Sequence, residues 1–160
     1  MNKLTHLDRR GLPRMVDVSE KPETLREAEA EAVLWVGSDV MSAVRHGRTP
    51  KGNVFETARL AGIMAAKHTS ELIPLCHSLN LSHVSVDMQV LEEEIVIRTK
   101  TRARNATGVE MEALMAASVA GLTLYDMLKA LSKKMRLNGV RLIAKSGGRS
   151  RDYRAEENRN

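Results

Sequence analysis

One segment of this chain is apolar on every side of a helix. Ala113, Leu114, Met115, Ala116, Ala117, Val119, Ala120, Leu122 and Leu124 follow one another almost without interruption, and their spacing covers the whole cylinder. A helix laid on a single sheet needs one apolar stripe and leaves its other side wet. Here the far side must be covered as well. Ala116, Ala117, Ser118, Ala120 and Gly121 are small enough to let another backbone come close. The expected cover is a neighbouring subunit; two earlier helices of the same chain are the alternative. Acids flank the segment, with Glu110 and Glu112 at its start and Asp126 at its end, followed by Lys129. At ~1.5 Å of rise per residue, the fourteen positions from Glu112 to Asp126 put these carboxylates about 21 Å apart. One small site on one chain does not reach both. If both ends are chemical, a second copy of the helix must run alongside in the opposite direction, and the sites form between subunits.

Around this segment the pattern is mostly strands. Glu27, Glu29 and Glu31 alternate with Ala28, Ala30, Ala32, Leu34 and Val36, and period two outranks the helix preference of Glu and Ala, so 26–36 reads as a strand. Ser38 is placed as the N-cap of a short helix through Val40, Met41 and Val44, stopped by Gly47. Asn53 with Glu56 three residues later opens a second helix running to about His68. The Pro74-Leu75-Cys76-His77-Ser78 stretch connects it to an antiparallel hairpin. Val84, Val86, Met88 and Val90 alternate with polar residues, Glu92-Glu93-Glu94 turn the chain, and Ile95, Ile97, Thr99 and Thr101 alternate with Val96, Arg98, Lys100 and Arg102. The long helix is expected over about 109–133, with Thr107 as N-cap and Glu110 completing a capping box. A turn at Asn138-Gly139 and a last strand over 140–144 follow. The order β, two helices, β, β, helix, β predicts an α+β fold: a ferredoxin-like split βαβ with an additional helix, its antiparallel four-stranded sheet covered by helices on one face. Its length of 160 residues suits a single domain, with about 1–14 and 147–160 as mobile tails.

A net charge of +5 and a pI near 9.6 favour an anionic partner. Trp35, Phe55, Tyr125 and Tyr153 are the only aromatic residues, too few to stack a nucleic-acid strand, so a small phosphorylated molecule is expected and nucleic acid is not. Cys76 is the single cysteine, which fits a reducing compartment. The first residues lack the apolar run of a secretory signal, and the stretch 113–125 is shorter than the roughly twenty residues a bilayer needs. A cytoplasmic protein with no membrane partner is expected.

Several residues could carry chemistry. Asp126 and Lys129 share a helix face; next to apolar turns they would look into a partly dry space and exchange protons with a substrate, although a surface ion pair has the same spacing. Glu112 has no structural duty and could accept two hydrogen bonds from an amidine edge such as that of guanine, with Met111 beside it; Glu110 has the competing capping duty. Cys76-His77 is a poor metal pair, because adjacent residues seldom reach one tetrahedral ion, so no metal site is expected and His77 is better placed as a hydrogen-bonding ligand or proton carrier. Lys51-Gly52-Asn53 puts an ammonium at a helix N-terminus, where phosphate binds readily. Lys145-Ser146-Gly147-Gly148-Arg149 is a second anion-friendly element, or else a flexible basic tail. Arg26 has only its charge to recommend it.

Met15-Val16-Asp17-Val18-Ser19, Lys51-Gly52, Leu72-Ile73-Pro74-Leu75-Cys76-His77, Thr107-Gly108-Val109-Glu110-Met111-Glu112-Ala113-Leu114, Tyr125-Asp126-Met127 and Ala144-Lys145-Ser146-Gly147-Gly148 together resemble the MoaC-type cyclic pyranopterin monophosphate synthases of molybdenum cofactor biosynthesis. Two departures are visible: Asn53 stands where the family commonly has Asp, and Ser78 where Pro commonly follows the His. The resemblance implies a homohexamer, a trimer of dimers with substrate bound at dimer interfaces. It implies a reaction in which a cyclised dihydroguanosine triphosphate is rearranged to cyclic pyranopterin monophosphate with release of pyrophosphate. On the family pattern Asp126 is catalytic, with Lys51 and Lys129 as the lysines of the site. Leu75, Cys76, His77, Met111 and Glu112 bind substrate, to which Glu110 and Arg26 are added from the reading above. The resemblance names no cofactor and leaves open whether Mg²⁺ accompanies the triphosphate. The rival from another class is a basic ferredoxin-like RNA-binding module using Arg98, Lys100 and Arg102, whose strands lack the aromatic residues that such modules stack on bases.

Overall fold

The computed structural model describes residues 6–148 and 151–156. The elements run β1 (Thr24–Trp35), α1 (Ser38–Arg45), α2 (Val54–Lys67), α3 (Thr69–Leu72), β2 (His83–Val90), β3 (Glu94–Asn105), α4 (Glu110–Leu128), β4 (Arg136–Ser146) and β5 (Tyr153–Arg154). The antiparallel sheet has the order β2-β3-β1-β4-β5, so the four expected strands form an α+β, ferredoxin-like arrangement and a fifth short strand is added at the edge. Period two decides β1 as expected. Ala28, Ala30, Ala32 and Leu34 are buried under the helices, while Glu27, Glu29 and Glu31 point to the other face, each opposite a cation of β3: Glu27↔Arg102, Glu29↔Lys100 and Glu31↔Arg98. Salt bridges follow that register, Lys100 to Glu29 at 3.1 Å and Arg98 to Glu31 at 3.2 Å, and Arg141 of β4 reaches Glu31 at 3.2 Å.

Both long helices lie on the apolar face. α4 rests on β1, β3 and β4, and α2 packs against α4 and β2. The small residues of α4 are used within the chain. A Cβ on Gly62 of α2 would stand 2.9 Å from the Ala116 carbonyl and 3.2 Å from the Ala120 Cβ, and a Cβ on Gly121 would stand 2.4 Å from Leu137 of β4. Part of the cover expected from a neighbour is therefore supplied by α2. An apolar surface remains: Leu60 and Met64 of α2, Leu72 of α3 and Leu122 of α4 are all exposed in the single chain. The length and composition of α4 would pass for a bilayer span, but half of its apolar window is buried in the position of a core helix.

Five local expectations are corrected. Gly37, at φ 79°, and not Ser38 is the N-cap of α1. α4 begins with Val109 as its N-cap and no side-chain cap, so Thr107 and Glu110 form no capping box; Glu110 is drawn instead to Lys145, 3.0 Å away. α4 ends at Leu128, because Lys129 closes it with its N–H on the Tyr125 carbonyl and the chain then turns through Leu131 to Leu128. Asn138-Gly139 is not a turn: β4 already pairs with β1 from Trp35↔Arg136, and the register slips between Glu31 and Val33 where Gly139 adopts φ 59°. That is a bulge, the usual place for a left-handed glycine inside a strand. Finally, Tyr153–Arg154 in the segment expected as a tail pair with Ala144 and Lys145. The remainder of both expected tails falls partly outside the described residues. Asn53 caps α2 as expected, accepting the Glu56 N–H at 3.1 Å.

Candidate active site

α4 presents its two acidic ends to different surroundings. At its N-terminal end Glu112 is 4% exposed. Burial, and secondarily the Glu110 charge, raise its pKa from 4.5 to about 7 against the pull of a backbone hydrogen bond. A carboxyl group with this pKa is about half protonated at neutral pH and changes charge at little cost, which suits a group meeting a ligand that can donate to it. It borders a cavity of about 390 Å³ lined by His6, Val16, Val18, Lys21, Leu75, Cys76, His77, Leu79, Thr107, Gly108, Glu110 and Met111. So Leu75, Cys76, His77, Glu110, Met111 and Glu112, named from sequence, do converge. The Cys76 thiol is pushed up by burial and by the Glu112 charge, which keeps it in its neutral form.

One wall of the cavity is a segment with no regular secondary structure, carrying Val16, Val18 and Lys21. Asp17 accepts the Ser19 N–H at 3.0 Å and the Ser19 hydroxyl at 2.6 Å, and Lys21 N–H returns to the Val18 carbonyl. His77 Nε2 lies 2.8 Å from the Val16 carbonyl. A carbonyl only accepts, so Nε2 carries the proton and a neutral His77 keeps Nδ1 as an acceptor.

A second cavity, of about 600 Å³, adjoins the first and shares His6, Lys21, Thr107, Gly108 and Glu110 with it; Pro22, Thr24, Arg26, Ala106, Lys145 and Gly148 complete its wall. Here Arg26 has a duty that the sequence did not reveal. Its guanidinium donates to the carbonyls of Asn105 at 3.3 Å, Ala106 at 3.1 Å and Gly147 at 3.2 Å, tying the β3–α4 loop to the end of β4. Gly147 and Gly148, at φ 91° and 85°, make that approach possible. A Cβ on Gly148 would fall 1.5 Å from Arg26 Nη1, and one on Gly147 would fall 2.0 Å from the Leu25 carbonyl.

At the other end of α4, Asp126 holds two ammonium groups at once. Lys129 Nζ reaches Oδ1 and Lys51 Nζ reaches Oδ2, each at 2.6 Å. Hydrogen bonds from Lys129 and then Lys51 lower the Asp126 pKa to about 2, and the same contact raises that of Lys129. The partly dry surroundings expected for the pair are absent within one chain, where the Asp126 side chain is half exposed. A carboxylate this acidic is a poor proton acceptor near neutrality. It holds Lys51 and Lys129 side by side.

The structure thus brings the site residues together in two groups, at opposite ends of α4. Lys21 was missed in the sequence: it sits in a polar stretch before Pro22 with no periodicity to mark it. Lys145 and Gly148 were visible only as a basic, glycine-rich end with a tail as the equal reading. Among the described residues, no three His, Cys, Asp or Glu side chains cluster as a metal site would require. The model of the MoaC family matches residues 15–148, a span that contains the Lys51–Asp126–Lys129 cluster and all of both cavity walls except His6.

Proposed function

The chain belongs to the MoaC family, the cyclic pyranopterin monophosphate synthases of molybdenum cofactor biosynthesis with a lyase-type activity, and from that premise we propose how this chain divides the work. The substrate is a cyclised dihydroguanosine triphosphate. Its guanine-derived edge lies in the smaller cavity, where the ionised Glu112 accepts two hydrogen bonds and His77 offers Nδ1. The triphosphate extends into the adjoining cavity beside Lys21, Arg26 and Lys145. A second copy of the chain, its α4 running the opposite way, brings in Lys51, Asp126 and Lys129. The purine imidazole ring opens and recloses as a pterin through proton transfers for which Lys129, a protonated donor held by Asp126, is the nearest acid. A ribose oxygen then attacks the α-phosphorus; its hydroxyl proton is lost, the bond to the β-phosphate oxygen breaks and pyrophosphate leaves. Lys51 offsets the charge of the departing group.

The observation that carries this reading is the buried Glu112, with its pKa near 7, facing a cavity that His77, Cys76 and Met111 also line. The exposed apolar side chains of α2, α3 and α4 support burial against another copy of the chain, the trimer of dimers being carried over from the family resemblance, and the lone thiol suits a cytoplasmic setting. An RNA-binding sheet is not favoured, since Arg98, Lys100 and Arg102 are all engaged by Glu27, Glu29 and Glu31. Incubation of the purified protein with the cyclised nucleotide should release pyrophosphate. Binding without release would mark a nucleotide sensor instead and reject the proposal.

A further inference from the structure

Two threonines interrupt the aliphatic face of β3. Ile95 and Ile97 are followed on the same side by Thr99 and Thr101, and Thr99 and Thr101 are as buried as the isoleucines, at 2% and 0% exposed. A hydroxyl in such a place must find a partner or lose its hydration for nothing. Both find one on α4: Thr101 donates to the Val109 carbonyl at 2.9 Å and Thr99 to the Ala113 carbonyl at 2.8 Å. The spacing is matched. Two residues of strand advance about 6.6 Å and four residues of helix about 6 Å, so two hydroxyls on one strand face meet two successive carbonyls on one helix ridge. Aliphatic packing is close at Gly62 and Gly121, but apolar contact is non-directional and gives by fractions of an ångström more readily than a hydrogen bond does. Two directional bonds to fixed carbonyls hold the register.

The anchored carbonyls bracket the segment Glu110-Met111-Glu112. We infer that Thr99 and Thr101 are positioning residues, which set the height of α4 on the sheet and thereby aim Glu112 into the smaller cavity. The inference rests on the reading of that cavity as the site of the substrate's guanine-derived edge. Neither hydroxyl touches the cavity, so any effect on binding must pass through α4. The helix has its own hydrogen bonds, among them Ala113 N–H to the Val109 carbonyl, so loss of the hydroxyls leaves it intact but free to shift by fractions of an ångström. Displacements of this order at a recognition site cost up to about a hundredfold per ångström.

The test compares two double variants and a control by titration with the cyclised nucleotide across pH 5.5 to 8.5, with thermal unfolding of each. T99V/T101V keeps the shape and loses the hydroxyls; T99S/T101S keeps the hydroxyls and loses the methyls. The expected result is a Kd about tenfold higher for T99V/T101V, with a displaced pH midpoint of binding, and a Kd within about twofold of the parent for T99S/T101S even if its Tm is the lower. A purely structural role predicts the reverse, with affinity following Tm, and that result would overturn the inference, as would parental affinity in T99V/T101V. If T99V/T101V does not fold, T101V alone carries the same comparison with T101S. E112Q separates the two layers. Weakened binding in E112Q beside parental binding in T99V/T101V removes the positioning role alone, whereas parental binding in E112Q removes the reading of the cavity and the inference with it.

Discussion

Replacing Glu112 by Gln should abolish a stability change that the parent undergoes between mildly acidic and neutral pH. Glu112 is buried and its pKa rises from 4.5 to about 7 on folding. The sign follows from which state holds the proton. Between these two values the folded chain keeps the proton and the unfolded chain has lost it, so raising the pH favours unfolding. The stabilising contribution is complete below pH 4.5, falls through the interval and is gone above about pH 7. About 2.5 pH units at 1.36 kcal/mol each give about 3 kcal/mol. With a urea dependence of about 2 kcal/mol per molar, the difference in midpoint between parent and E112Q should move by about 1.5 M between pH 4.5 and pH 8. Taking the difference removes every other titrating group, provided protein concentration is held fixed. A midpoint difference that stays constant over this range would refute both the buried carboxyl and the reasoning from it to recognition of an amidine edge. The cyclised nucleotide should restore stability to the parent above pH 7 and much less to E112Q.

Three further outcomes are expected. Asp126→Asn should bind substrate within a few-fold of the parent and lose about two to four orders of magnitude in turnover, and the parent's turnover should show no acidic limb from Asp126 above about pH 3, since Lys129 and Lys51 hold its pKa near 2; rapid-quench measurement of pyrophosphate checks both. Lys51→Ala should weaken nucleotide affinity most at low salt, read by titration at two ionic strengths. Gly148→Ala should drive the Arg26 guanidinium off the loop carbonyls, because the added Cβ would lie 1.5 Å from Nη1. Its KM should then rise as much as that of R26Q, although every charge is still present.

How much of this was legible in the sequence depended on whether the signal was local. The alternation of Glu27, Glu29 and Glu31 with alanines fixed β1 and its faces, because period two is a property of consecutive residues. Asn53 announced α2 for the same reason. The capping box that Thr107 and Glu110 suggest does not form, because Lys145, 35 positions from Glu110 in sequence, competes for its carboxylate. Asn138-Gly139 has the composition of a turn, yet pairing with β1 on either side of it makes it a bulge. The first site residues were legible through motifs that sit on one helix end or one loop. Lys21 and the tying role of Arg26 were not, since they depend on which loops the sheet happens to bring together. Likewise, nothing in the spacing of Thr99 and Thr101 told that their hydroxyls would meet carbonyls of α4.

The two groups of site residues stand at opposite ends of one helix, and the proposed reaction requires them to meet across two chains. E112Q and D126N, once each is shown to lack measurable turnover alone, should be unfolded together at equal amounts, refolded and assayed for pyrophosphate release. In random pairing half of the dimers carry one copy of each, and such a dimer has one doubly altered site and one intact site. About a quarter of the parental activity should therefore return. Activity no higher than that of the two variants assayed separately, in a mixture shown to contain mixed dimers, would place the whole site within a single chain and contradict the account.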